Sequence, residues 1–206
     1  MTTMIHLHTS KIFNDDLSKS GFALPVAENK NVGWHWYAHR VTLLRKKCII
    51  VMEEASRYAL IFVGLKKKDF AHFDKVLASR IVAEASWLCD LPHPRSNEQL
   101  IAAVEQKCSS FVWSPGLNRS VQSHIRQVAD EVGCFADNRL EQLTKSTQGE
   151  FALGFEVNKR YRKRKEDKDY FVPYKIWRTS LLALLTPQDG SNVINLADFR
   201  KGRRGV

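Results

Sequence analysis

The sequence predicts a mixed α+β domain, an antiparallel β-meander sheet packed against several helices, followed by a short C-terminal tail. Three observations carry this expectation. From Trp34 to Leu65, three runs rich in aromatic and β-branched residues, WHWYAHRVTLL, CIIVM and YALIFVGL, are separated by the turns RKK and EEASR. Downstream, apolar residues recur at helical spacing behind residues that cap helices. A length of 206 residues also lets the chain bury about 70% of its unfolded surface, so neither a disulfide nor a metal is required for folding.

In chain order, Ile5-His6-Leu7-His8 alternates and reads as a first strand, with both histidines on one face. An exposed strand face accounts for them without a metal. The middle and last runs of the meander are almost wholly apolar, so both faces should be covered, one of them by helices. Trp34 and Trp36 share a face and read as core against those helices, as do Trp87, Trp113 and Trp177, rather than as a stacking platform. Asp69 is the expected N-cap of a helix carrying Phe70, Phe73, Val76, Leu77, Ile81 and Ala85, ended by Pro92 and Pro94. Ser96, with Gln99 three residues on as in a capping box, opens a second helix through Leu100, Ala103, Val104 and Cys108. Phe111-Val112-Trp113 is a short strand or extended link, Pro115-Gly116 a turn, and Ser120 the cap of a third helix with Val121, Ile125, Val128 and Val132. Phe151 to Asn158 returns to strand character, and Lys175 to Leu185 is a last helix closed by Pro187. Residues 1–187 then form one domain, and 188–206 a linker and basic tail.

No apolar run approaches the roughly 20 residues that span a bilayer. The start, MTTMIHLHTSKIFNDD, lacks the basic region and apolar stretch of a secretory signal. A cytoplasmic location away from membranes is therefore expected. Cys48, Cys89, Cys108 and Cys134 are far apart and form no C-x-x-C pair, which reads as reduced, mostly buried thiols. Cys89 and His93 have a ligand-like spacing, but tetrahedral zinc needs four ligands and no second pair stands beside them. No metal and no cofactor is expected.

Lys and Arg number 32 against 22 Asp and Glu, a formal charge of +10 that favours polyanions, chiefly nucleic acid, and acidic protein surfaces. The charge is densest from Lys159 to Lys168. Here Lys159, Arg160, Arg162, Lys163, Arg164 and Lys165 are candidate phosphate contacts, and Tyr161 is a candidate stacking residue. The same run also reads as a solvated hairpin or mobile loop, or as a contact for an acidic protein. Arg45, Lys46 and Lys47 form a second basic turn, Lys66 to Lys68 a third and Arg200 to Arg204 a fourth. Asn118-Arg119-Ser120, at a helix N-terminus, offers free backbone N–H groups beside an arginine for a phosphate or carboxylate, or else an ordinary cap and ion pair. His35, His39, His72 and His124 are available bases, but no nucleophile elbow, phosphate loop or H-E-x-x-H is present. A nuclease assembled from His and Asp only in the fold stays open.

Trp36, Ala38 and His39, then Ala55-Ser56 and Tyr58, then Leu117-Asn118-Arg119-Ser120-Val121 occur in an order that resembles a family of uncharacterised bacterial domains. The resemblance runs from residue 4 to about residue 175. It implies domain boundaries and a bacterial or mobile-element origin, and brings no established activity. Where that family has a short N-x-x-P link, this chain has Asn158 followed by the basic run. The expected function is a non-enzymatic nucleic-acid-associated protein of a bacterial or mobile-element system, binding mainly through phosphates. The alternative is a protein-interaction module, such as an antitoxin, an inhibitor or an assembly subunit, binding an acidic partner. Val193, Ile194, Leu196 and Phe199 of the tail would order on that partner's groove.

Overall fold

The computed structural model describes residues 4–22, 33–43, 46–116, 118–135 and 146–185. Arg45 and the tail, with Val193, Ile194, Leu196 and Phe199, lie outside the described residues. The meander forms as expected: β2 (Trp34–Leu43), β3 (Lys46–Glu53) and β4 (Ala59–Val63) pair antiparallel, with Ala38 opposite Val51 and Val51 opposite Leu60. The sheet is larger than the meander and is mixed. β1 (Ile5–Thr9) lies parallel to β2, and β5 (Phe111–Pro115) lies parallel to β1, giving the five-stranded order β4-β3-β2-β1-β5. Parallel neighbours require a crossover rather than a hairpin. After β1 that crossover begins with α1 (Lys11–Ser20), capped by the Ser10 hydroxyl and closed by Gly21 in the left-handed region.

Both faces of the sheet are covered. Ile5, Leu7, Trp36, Ala38, Ile49, Val51, Leu60 and Phe62 pack on one side against α1, α2 (Lys67–Ala71), α3 (Phe73–Leu88) and α4 (Pro94–Lys107), joined by Trp177 and Leu181 of a later helix. On the other side Tyr37, Ile50, Met52, Ala59 and Ile61 meet α5 (Arg119–Phe135) and α6 (Thr147–Asn158). The last helix, α7 (Pro173–Leu182), runs into a 3-10 turn at Ala183–Leu185. Tyr58 stacks on Trp177, ring centroids 4.0 Å apart, and Trp34 and Trp36 close around the same indole. Trp36, Trp113 and Trp177 are core as expected, whereas Trp87 stays 40% exposed with its ring against Phe151.

Several local expectations are corrected. Phe151 to Asn158 is helix, not strand: Phe151, Leu153, Phe155 and Val157 alternate, but they are equally two i, i+4 pairs, and the Ser146 hydroxyl caps the helix on Gly149 N at 3.1 Å. Asp69 stands three residues inside α2 and accepts from Lys66 N at 2.7 Å, so the helix begins earlier than an Asp69 cap would place it. α4 begins at Pro94, whose missing N–H costs nothing at a helix's first position, rather than at Ser96. The single helix expected from Asp69 through Ala85 is interrupted at His72, which separates α2 from α3. At α5 the Asn118 side chain accepts from Ser120 N at 2.9 Å, and Ser120 is used elsewhere. Cys48, Cys89 and Cys108 are buried free thiols, and Cys134 is exposed. Burial pushes the first two to about 11 and Cys108 to about 12, so all three are inert at neutral pH. Among the described residues no helix is long and apolar enough to cross a membrane.

Candidate functional site

The basic segment docks on the end of the sheet where β3 leaves for β4. Glu53, the last residue of β3, is buried and accepts from Ala55 N, Ser56 N and the Ser56 hydroxyl at 3.1, 2.6 and 2.5 Å. This ties the EEASR turn into a fixed shape. Within it Arg57 takes φ 59°, a left-handed conformation that costs a non-glycine residue about 1–2 kcal/mol. The conformation turns the guanidinium inward: Nε donates to His124 Nδ1 at 3.2 Å, Nη2 to the Ser120 hydroxyl at 3.1 Å, and Nη1 to the Glu54 carbonyl. Since His124 Nδ1 accepts, its proton sits on Nε2, which meets the Lys163 carbonyl at 3.2 Å. Burial and the Arg57 charge both hold this imidazole below its ordinary pKa, so it is neutral.

The run from Lys159 to Lys168 is tied to the body of the fold through Arg162 and Arg164. Arg162 and Phe171 exchange backbone hydrogen bonds at 2.8 and 2.9 Å, closing the segment at its base. Arg162 is buried, and its guanidinium forks onto the Glu131 carboxylate of α5 at 2.6 and 2.5 Å. This position is therefore structural and offers no surface to a phosphate, a correction to its place among the candidate contacts. Arg164 is half-buried, donates to Asp167 at 2.8 Å and to the Ala55 carbonyl at 2.8 Å, and lies over the Phe171 ring. That hydrogen bond raises the Arg164 pKa and lowers that of Asp167. The exposed side chains are Lys159, Arg160, Tyr161, Lys163, Lys165, Glu166 and Lys168, with Asp169 and Tyr170 beside them; Tyr161 and Tyr170 are 69% and 68% exposed. Arg119, at the start of α5, is exposed at the same end through its neighbour Ser120.

Among the described residues, the other basic side chains, Lys46 and Lys47 and Lys66 to Lys68, do not join this surface; Arg45 and Arg200 to Arg204 lie outside the described residues. Lys46 and Lys47 start β3, about 24 Å from its far end for seven residues of antiparallel strand. There Lys47 pairs with Asp16 at 3.3 Å. Lys66, Lys67 and Lys68 follow β4 at that same remote end, where Gly64 N bonds the Lys47 carbonyl.

A second polar group crosses β1, β2 and β5 on the α5 side of the sheet. His6 is in register with His35, and His8 with Tyr37, so alternation sends all four side chains to one face. The rings stack, His6 on His8 at 4.4 Å and His8 on Tyr37 at 4.4 Å. His6 Nε2 lies 2.7 Å from the Ser114 hydroxyl, His8 Nε2 3.0 Å from His35 Nδ1, and the Tyr37 hydroxyl donates to Glu54 at 2.9 Å. The expected exposed face is thus corrected: His6 is fully buried, and His8 and His35 are half-buried. At the start of β2 a cavity of about 390 Å³ is lined by Gly33, Trp34, His35, Glu54, Ser180 and Leu184, and its apolar wall belongs to the layer on the opposite side of the sheet.

Two residues to which the sequence assigned no role anchor this end of the sheet. Arg57 lies inside the quoted Ala55-Ser56 and Tyr58 stretch, and only its positive φ marks it out, which no sequence pattern displays. Asn158 pairs both polar groups of Ala59, N to Oδ1 and Nδ2 to O, each at 2.8 Å, so the residue that precedes the basic run fastens α6 to β4.

Fold and site together define a single α+β domain with a five-stranded mixed sheet between helices, and with an ordered basic segment clamped on α5. The chain belongs to a family described as a domain of unknown function, DUF6933, which matches residues 6–176. That span agrees with the one implied by the Trp36 to Val121 motifs. No curated protein matches the chain.

Proposed function

We propose that this protein associates with nucleic acid, mainly through phosphates, using Lys159, Arg160, Lys163, Lys165 and Arg119. The carrying observation is the pairing of outward cations with two largely exposed aromatics, Tyr161 and Tyr170, on a segment held rigid by Arg162 and Arg164. Cations neutralise phosphates and release counterions, while an exposed aromatic ring can stack on any base. A rigid platform also loses little conformational entropy on binding. Its setting is a bacterial or mobile-element system.

The test is affinity for duplex DNA, single-stranded DNA and RNA across a salt series, by fluorescence anisotropy. Replacing Lys159, Arg160, Lys163 and Lys165 together with Ala should weaken binding about equally for all sequences. The salt slope should drop by roughly one unit for each lost contact. Tyr161→Ala should cost roughly 1–3 kcal/mol and leave that slope unchanged if the ring stacks on a base. A quadruple variant that binds like the parent at every salt concentration rejects this surface and moves the case to an acidic protein partner.

A further inference from the structure

We propose that His6, His8 and His35 form a binding site for a divalent transition-metal ion of the zinc class, with a fourth position left for water. This inference is independent of nucleic-acid binding. One ligand atom from each of the three imidazoles lies within 4.8 Å of the others, among the described residues. Their arrangement follows from the sheet itself. His6 and His8 are i and i+2 on β1, and the third ring comes from the adjacent strand at the position in register with His6.

Imidazole donors suit zinc, copper, nickel and iron, whereas magnesium and calcium require oxygen ligands, so the donor set selects the class. Around tetrahedral zinc, nitrogens at 2.0–2.1 Å from the ion stand about 3.3–3.4 Å apart. His8 Nε2 and His35 Nδ1 are already 3.0 Å apart. The widest pair would close by at most about 1.5 Å, within reach of side-chain rotation in the half-buried His8 and His35.

The surroundings are those that such a site needs. The Ser114 hydroxyl, 2.7 Å from His6 Nε2, orients that buried ring. Tyr37 packs flat against His8 and is itself anchored on Glu54, which sets the other side of the row. Three protein ligands are the number that leaves zinc an open position, whereas closed structural sites use four.

The experiment uses the full chain, with any purification tag removed, titrated calorimetrically with Zn²⁺. One equivalent should bind, and His8→Ala and His35→Ala should each weaken it about 100-fold or more. His72→Ala and His93→Ala, at exposed histidines, and Cys134→Ser, at the exposed thiol, should leave it unchanged. Circular dichroism checks that each variant is folded. If the strand variants do not fold, Co²⁺ bound to the unaltered protein decides. A strong tetrahedral visible spectrum without thiolate charge transfer, shifted by azide, supports three nitrogens and an exchangeable fourth ligand. No zinc uptake by the parent, undiminished uptake by folded His8→Ala and His35→Ala, an octahedral or thiolate-type cobalt spectrum, or a spectrum unmoved by azide each overturns the proposal.

Discussion

Along β1, Ile5 and Leu7 leave one face of the sheet and His6 and His8 leave the other, and the two faces are stabilised by different physics. On the first face, Trp36, Trp177, Tyr58 and Phe73 fill a continuous apolar layer under the helices, and area removed from water supplies the stability. On the second, α5 and α6 cover β2 to β4, while the row from Tyr37 through His8, His35 and His6 to Ser114 is held by named partners. A buried polar group is costly unless each partner is in place. The first face therefore responds to volume, and the second to partners and protonation.

The largest expected effect breaks the apolar face. Trp177→Ala removes the indole on which Tyr58 stacks and should cost about 3–5 kcal/mol, read from denaturant unfolding. A loss under about 1 kcal/mol would show that the layer is not continuous there. Next, on the second face, Arg162→Ala leaves the Glu131 carboxylate without its fork and should cost about 3 kcal/mol. Arg162→Met with Glu131→Gln should recover part of that loss, because no uncompensated charge then remains. Equal stabilities for the single and double variants would remove the pair as the clamp.

Smaller still is a pH effect. His124 lies against Arg57, Arg162 and Arg164, and burial with these charges holds its folded pKa below the unfolded value of about 6.5. The unfolded chain then binds the proton first. Stability should be full above about pH 6.5 and fall as pH drops below it. His39, lowered by burial and by Arg126 and Arg40, adds a decline of the same sign. His124→Gln should flatten part of the fall in melting temperature between about pH 7 and pH 5; an unchanged profile would assign the whole effect elsewhere. The smallest effect should come from Lys159→Ala or Lys165→Ala, each changing stability by about 0.5 kcal/mol or less at an exposed position. The contrast between these and Arg162→Ala, inside one basic run, is the sharpest check on which cations face inward.

The meander was legible because β-branched and aromatic runs between polar turns are a local signal, and the tryptophans of β2 fell on the expected face. The faces of α3 and α5 were legible for the same reason: Phe73, Leu77 and Ile81, and Val121, Ile125 and Val128, repeat at helical spacing. Phe151 to Asn158 was misread because alternation and i, i+4 spacing coincide in four apolar residues, and the Ser146 cap lies outside that window. The seven cations between Lys159 and Lys168 were visible as a block, yet composition does not separate buried Arg162 from exposed Lys163.

By itself, then, the sequence determined the elements whose signals lie within one turn or one strand: the three meander strands, the amphipathic helices, the buried thiols and the excess of positive charge. Tertiary structure alone decided how distant pieces meet. It set β1 and β5 parallel on the edge of the meander, brought His8 to His35 across 27 residues, Arg57 to His124 across 67 and His6 to Ser114 across 108. The reason is that periodicity reports which side of an element is apolar, whereas the partner of a buried polar group is chosen by where two separate elements pack, and no spacing along the chain encodes that position.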